Sequence, residues 1–170
     1  MELERWYLTS YNILFLCTGN SARSILGEAL ATQLSGGRFK GYSAGSNPQG
    51  RVHPLAQELC AKIGYSTKSL RSKSWNEFVG SQSPNMDLVI TVCDSAASEV
   101  CPVLPGHPCS SHWGFPDPAA VQGTLEERRQ AFNDVFIGLK KCVNTLLSLP
   151  VEELSREEIK GSLRMIGESI

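Results

Sequence analysis

The chain lacks any excess of charge of one sign: across 170 residues, 16 lysines and arginines face 17 aspartates and glutamates, for a net charge of -1. Without a basic surplus no bulk field draws nucleic acid or an anionic membrane, so neither is expected as a partner, and any anion must be held by a local site. Long apolar runs are missing too. The longest near the start, Ile13 to Cys17, is far short of the ~20 residues of a membrane span. The opening Met-Glu-Leu-Glu-Arg-Trp has neither a basic n-region nor an extended apolar h-region, so no secretory signal is expected and the chain reads as cytoplasmic. With only 15 glycines and 9 prolines beside 41% hydrophobic residues, collagen-like and disordered chains are excluded. Aspartate is scarce as well, at Asp87, Asp94, Asp117 and Asp134 only, which narrows the search for an acid.

What is present fits one globular domain with a full core. Tyr11 to Cys17 reads as a buried parallel strand ending in a glycine-containing loop. Ile25, Leu26, Ala29, Leu30 and Leu34 then recur at helical spacing until Gly36-Gly37. Phe39 to Ala44 predicts a second strand, and Val52 to Ile63 a helix closed by Gly64 as a left-handed cap. A polar connection leads to a third strand over Met86 to Cys93. Residues 94–123 hold five of the nine prolines and read mostly as loop, with one short helix or strand. Thr124 with Glu127 and Ser155 with Glu158 form capping boxes for a long helix ending at Pro150 and for a terminal helix. Residues 1–10 therefore read as an extension, 11–150 as the domain, and 151–170 as a helix packed on it or extending from it. Alternation of strands and helices implies an α/β fold whose parallel sheet has helices on both faces, with ligands bound beyond the carboxyl ends of the strands.

Cys17-Thr18-Gly19-Asn20-Ser21-Ala22-Arg23-Ser24 lies at such an end. Between a buried strand and a helix, its backbone N–H groups can converge on a tetrahedral oxyanion, and Gly19 permits the tight turn. Arg23 supplies a planar fork that grips two oxygens. The same field stabilises a thiolate, which makes Cys17 a nucleophile, with Ser24 placed to donate to it and Asn20 to fix the loop's shape. A leaving oxygen needs an acid. Asp117, in the proline-stiffened stretch His-Trp-Gly-Phe-Pro-Asp-Pro, is the best placed of the four aspartates.

Together with Tyr-Ser-Ala-Gly at 42–45, Thr-Val-Cys at 91–93 and Cys-Pro at 101–102, these motifs resemble the arsenate reductases built on the low-molecular-weight tyrosine phosphatase fold, over about Asn12 to Leu149. The resemblance implies a four-stranded parallel sheet, with Cys17 as nucleophile, Arg23 as clamp and Asp117 as general acid. The phosphatases share loop and acid but typically place tyrosine after Asp-Pro, where this chain has Ala119. A low-molecular-weight phosphatase is the nearest alternative. A non-catalytic oxyanion-binding or redox-sensing module is the alternative of another class, and the intact nucleophile, clamp and acid argue against it.

Reduction needs a second thiol, and Cys93 resembles the resolving cysteine of these reductases. Cys101 resembles the third cysteine of relay-type members, although Cys93 and Cys101 enclose seven residues, one more than the relay pattern. If that segment is helical it spans ~12 Å, beyond the ~7 Å a disulfide tolerates between α-carbons, and it has to unwind. Without that motion glutathione and glutaredoxin resolve the intermediate instead; the resemblance still favours the relay, and with it thioredoxin as reductant, slightly, with weak phosphatase activity expected on the side. Cys60 and Cys142 fall on apolar helix faces as core residues, and the spacing of Cys109 fits no usual zinc pattern. His53, His107 and His112 are not placed as bases. Arg71 and Lys73 are expected to dock a redox partner or line the entrance. Some members hold a potassium ion with an acidic residue in this neighbourhood; Lys73 stands there here, so no metal and no cofactor are expected.

Overall fold

The computed structural model describes residues 10–170; the residues read as an N-terminal extension lie, apart from Ser10, outside them. Strand β1 (Tyr11–Cys17) sits in the middle of the sheet because its side chains are apolar on both faces: Ile13, Phe15 and Cys17 join the larger core cluster, while Leu14 and Leu16 join the smaller one opposite. It pairs in parallel with β2 (Phe39–Gly45) on one side and β3 (Leu88–Thr91) on the other, and β3 pairs with β4 (Cys109–His112). The sheet order is β2-β1-β3-β4, all parallel.

The larger cluster lies beneath four helices: α1 (Arg23–Leu34), α2 (Pro54–Lys62), α4 (Leu125–Leu147) and α5 (Arg156–Glu168), with α3 (Asp94–Ser98) at the sheet's C-terminal edge. Both capping boxes form, at Thr124/Glu127 and Ser155/Glu158. The α5 helix packs on β4, where Trp113 donates its indole N–H to the Leu163 carbonyl at 3.0 Å and Cys109 lies 3.7 Å from the Arg156 carbonyl. The opposite face has a thinner cover, in which Phe78 from a 3-10 turn over Trp75–Phe78, with Met86 and Leu104, closes over Leu14, Leu16 and Val89.

Two expectations change. The third strand is shorter than Met86 to Cys93: Met86 bonds Pro105 instead of a strand partner, and Cys93 turns into the N-cap of α3. The proline-rich stretch holds both a helix, α3, and a strand, β4. The strand escaped the hydrophobic pattern because Cys-Ser-Ser-His is polar and only Cys109 is buried, as suits an edge. His112 is consequently a strand residue.

Among the described residues no helix is long and apolar enough to cross a membrane.

Candidate active site

The loop from Thr18 to Ala22 is shaped by its carbonyl groups. Those of Thr18, Gly19 and Ser21 accept from the N–H groups of Asn47, Gln49 and His53 at 2.9–3.0 Å, and Ser72 adds a further bond to Gly19. Pinned outward, these carbonyls leave the amide N–H groups facing the loop's interior, where that of Asn20 donates to the Cys17 sulfur at 3.2 Å. Gly45 lies so close to the Thr18 carbonyl that a β-carbon would collide with it. Helix α1 begins at Arg23 with no side-chain cap and no acidic residue in its first turn, so its positive end stays available to an anion.

Asn20 is fully buried in the left-handed region at φ 43°, a conformation asparagine tolerates better than most residues. Its Nδ2 donates to Ser24 Oγ and its Oδ1 accepts from the Lys73 backbone N–H, both at 2.8 Å. With one lone pair of Ser24 thus engaged, the hydroxyl proton is free to point at Cys17 Sγ, 2.8 Å away. The nucleophilic sulfur is therefore met by two donors, the Asn20 N–H and the Ser24 O–H, an arrangement that stabilises negative charge on it.

Arg23 reaches back over the loop. Its Nη1 donates to the Phe115 carbonyl at 3.0 Å and its Nη2 lies 3.8 Å from Asp117 Oδ1. That carboxylate also accepts from Ala119 N–H at 3.0 Å, which fixes it at the start of a 3-10 turn over Pro118–Ala120. Cys17, Arg23, Cys93 and Asp117 line one cleft of about 550 Å³, and Ala119 leaves its wall without an aromatic ring at that point. Thr18, Gly19, Asn20, Ser21 and Ala22 line it as well, whereas Ser24 is buried behind Cys17.

Cys93 is buried with its sulfur 3.4 Å from the Ala96 N–H and 3.8 Å from Thr18 Oγ1. Cys101 lies outside the cleft, exposed, on the wall of a neighbouring cavity of about 520 Å³. Between the two, the helix spans only Asp94–Ser98, and Glu99 is already extended. Burial pushes the thiols of Cys60 and Cys142 up to about 12 and about 11, which suits core residues held as neutral thiols.

One expectation is overturned in the support beneath the loop. Lys73 neither docks a partner nor lines the entrance: it is buried, with Nζ 3.0 Å from the Arg71 carbonyl and 3.9 Å from Glu28 Oε1. Arg71 is held at the surface by Glu77. The positive charge beside Glu28 is thus the chain's own ammonium, and a metal ion would have to displace it. Loss of water on burial pushes the Glu28 carboxyl up to about 7, against the opposing pull of Lys73 and Arg71. Among the described residues its Oε2 has no hydrogen-bond partner.

This support sets a pH dependence of stability. Unfolded, Glu28 ionises near 4.5. Between that value and about 7 the native state keeps a proton that the unfolded chain releases, so this contribution is full below about pH 4.5 and is lost as pH rises through 7. Raising the pH from 5 to 8 is expected to remove roughly 2–3 kcal/mol of unfolding free energy from this group. Denaturant unfolding over that range is expected to show a smaller loss in Glu28→Gln, and an identical pH slope in the two proteins would refute the assignment.

Also absent from the sequence reading are Glu99, which accepts from Thr18 Oγ1 at 3.3 Å, and the pair of His112 Nε2 with Asp94 Oδ1 at 2.9 Å, with Thr91 Oγ1 2.8 Å from His112 Nδ1. Neither contact has a motif; both depend on how α3 turns back over the loop and β4.

Comparison with known proteins agrees with this geometry. The family described as low molecular weight phosphotyrosine protein phosphatase matches residues 12–160. The arsenate reductase of Bacillus subtilis (strain 168) is 41% identical over 123 residues, 72% of this chain and 85% of that protein. That of Halalkalibacterium halodurans is 37% identical over 133 residues, covering 78% and 92%. Among solved structures, the arsenate reductase from Archaeoglobus fulgidus DSM 4304 superimposes with a TM-score of 0.57 at 28% identity, over 78% of this chain and 98% of that one. The chain belongs to the low molecular weight phosphotyrosine protein phosphatase family, where it stands among relatives named arsenate reductase.

Proposed function

We propose that this chain reduces arsenate to arsenite in the cytoplasm. The observation that carries the reading is the second thiol: Cys93 faces the same cleft as Cys17, Arg23 and Asp117, and a phosphatase has no use for it, since water hydrolyses a phosphocysteine. Arsenate enters the loop with its oxygens toward the inward amides and Arg23. The Cys17 thiolate attacks arsenic while Asp117 gives a proton to the departing oxygen. Cys93 then attacks the Cys17 sulfur; the S–S bond forms, the S–As bond breaks, and its electron pair takes arsenic from the +5 to the +3 state.

Cys101 receives the oxidised state next, by attacking the Cys93 sulfur and releasing Cys17. The obstacle is smaller than a helix through the whole segment would make it, because α3 has five residues and Glu99 already leaves it. A helix that short is marginal without its cap, and the cap is the Cys93 sulfur itself. Drawing that sulfur into a disulfide removes the acceptor for the Ala96 N–H and favours unwinding. Thioredoxin is the preferred reductant of the resulting Cys93-Cys101 disulfide.

A phosphatase is the second reading, favoured by the shared loop and acid. Purified protein supplied in parallel with thioredoxin/thioredoxin reductase and with glutathione/glutaredoxin is expected to release arsenite with the first. Peptide mapping after one turnover is expected to find Cys93 joined to Cys101. A free Cys101, with glutathione on Cys17 or Cys93, would refute the relay and assign the glutaredoxin route. No arsenite with either system, alongside hydrolysis of para-nitrophenyl phosphate, would establish the phosphatase.

A further inference from the structure

A thiol attacks as its thiolate, so Cys93 must lose a proton before it reaches the Cys17 sulfur. It is 3% exposed, which denies that proton easy access to water. The adjacent aspartate lines the same cleft, but its Oδ1 is engaged with His112 at 2.9 Å, its side chain lies almost wholly in solvent, and it makes no hydrogen bond to the Cys93 sulfur among the described residues. The Cys93 sulfur instead meets the hydroxyl of Thr18, 3.8 Å away, in the residue that follows the nucleophile.

That hydroxyl has one proton, and it points elsewhere. Thr18 Oγ1 donates to Glu99 Oε1 at 3.3 Å. With its proton directed at the carboxylate, Thr18 faces Cys93 with a lone pair, and the sulfur must be the donor of the pair. The three groups thus form an ordered chain, S–H to hydroxyl to carboxylate. Glu99 is half-buried and reaches this position because the backbone turns at the end of α3, where its own N–H bonds the Ala96 carbonyl. Its outer side opens on the cavity that also holds Cys101, His107, His112 and Arg156.

We infer that Glu99 is the terminal proton acceptor for Cys93, reached through the Thr18 hydroxyl; the inference rests on Cys93 being the second nucleophile. The Cys93 proton passes to Thr18 Oγ1 as the proton of Thr18 passes to Glu99 Oε1. The hydroxyl then points back at the new thiolate and stabilises it, while Glu99, now a carboxylic acid, gives its proton to water in the cavity. No electrons move in this step. They move when the thiolate attacks Cys17, where two sulfurs lose one electron each and arsenic gains two. Glu99 touches no reacting atom, so its influence must be read through the proton it accepts.

The test is a single turnover of arsenate without external reductant, with arsenite measured from pH 6 to pH 9. Glu99→Gln keeps size and hydrogen bonding but cannot take the proton. It is expected to slow release about 100-fold near neutrality, the typical scale of a lost general base, with the deficit shrinking as hydroxide takes over at higher pH. Thr18→Val is expected to lose a similar factor, the double variant no more than either, and Glu99→Asp to recover at least about 10-fold over Glu99→Gln. Wild-type rates in Glu99→Gln, or a loss of equal factor at every pH, would overturn the inference and leave the carboxylate as a tie between α3 and the loop. Cys93→Ser separates this result from failure of the reading beneath it: arsenite release at the wild-type rate in that variant removes Cys93 as nucleophile, whatever Glu99 does.

Discussion

Cys17→Ser is expected to lower arsenate turnover by at least about 10⁴-fold while phosphate binding stays within a few-fold of wild type. The two effects separate because different groups produce them. Anion binding draws on the inward amides of the loop, the open end of α1 and the Arg23 fork, none of which needs the sulfur. Chemistry draws on a thiolate, which a serine hydroxyl does not replace at neutral pH. The substitution is small, and Ser24 Oγ and Asn20 N–H remain to bond the new hydroxyl, so the loop has no reason to collapse. Arg23→Lys behaves differently and weakens both properties, binding by roughly 10-fold, because one ammonium cannot hold the Phe115 carbonyl and still present two parallel donors to an anion. Phosphate binding by calorimetry, beside arsenite release, reads the two quantities separately. A serine variant that turns over arsenate at the wild-type rate would remove Cys17 as nucleophile.

The parts of the molecule legible in the sequence are those with local causes. Strand β1 announces itself by five consecutive apolar residues, α4 and α5 by their capping boxes, and the loop by residue types whose chemistry is specific at that spacing. Ser24 and Asn20 were legible for the same reason, since a hydroxyl seven residues from Cys17 across a strand-to-helix turn has little choice of neighbour. What stayed hidden depends on chain returning from far away. Lys73, read as a surface cation, is buried because its backbone N–H serves Asn20 Oδ1, 53 residues earlier, and this carries its side chain beneath the loop toward Glu28. Glu28 itself sits on an α1 that is buried along most of its length, and nothing in the sequence marks it as more than a helix glutamate. Strand β4 has a polar sequence and takes its place from pairing with β3 and from the Trp113 bond to α5. The thin second face follows from the same long connections, whose turns are too short to show a period.

Cys93→Ser is the substitution that separates reduction from hydrolysis. Steady-state arsenite release is expected to fall by at least about 10³-fold, because the arsenic adduct on Cys17 has no neighbouring thiolate to break it. Hydrolysis of para-nitrophenyl phosphate by the same protein is expected to remain within a few-fold of wild type, since water resolves a phosphocysteine without a second sulfur. The comparison is sound because serine suits the place structurally. Cys93 caps α3 by accepting from the Ala96 N–H, and serine is among the best residues for that role, so the helix keeps its start. Its hydroxyl also keeps a polar group facing Thr18 Oγ1, now 3.8 Å from the sulfur. A fall in one activity alone therefore reports on the thiol. If both activities fell together by similar factors, Cys93 would be a buried structural residue, and reduction would have to draw its second electron from a thiol outside the chain.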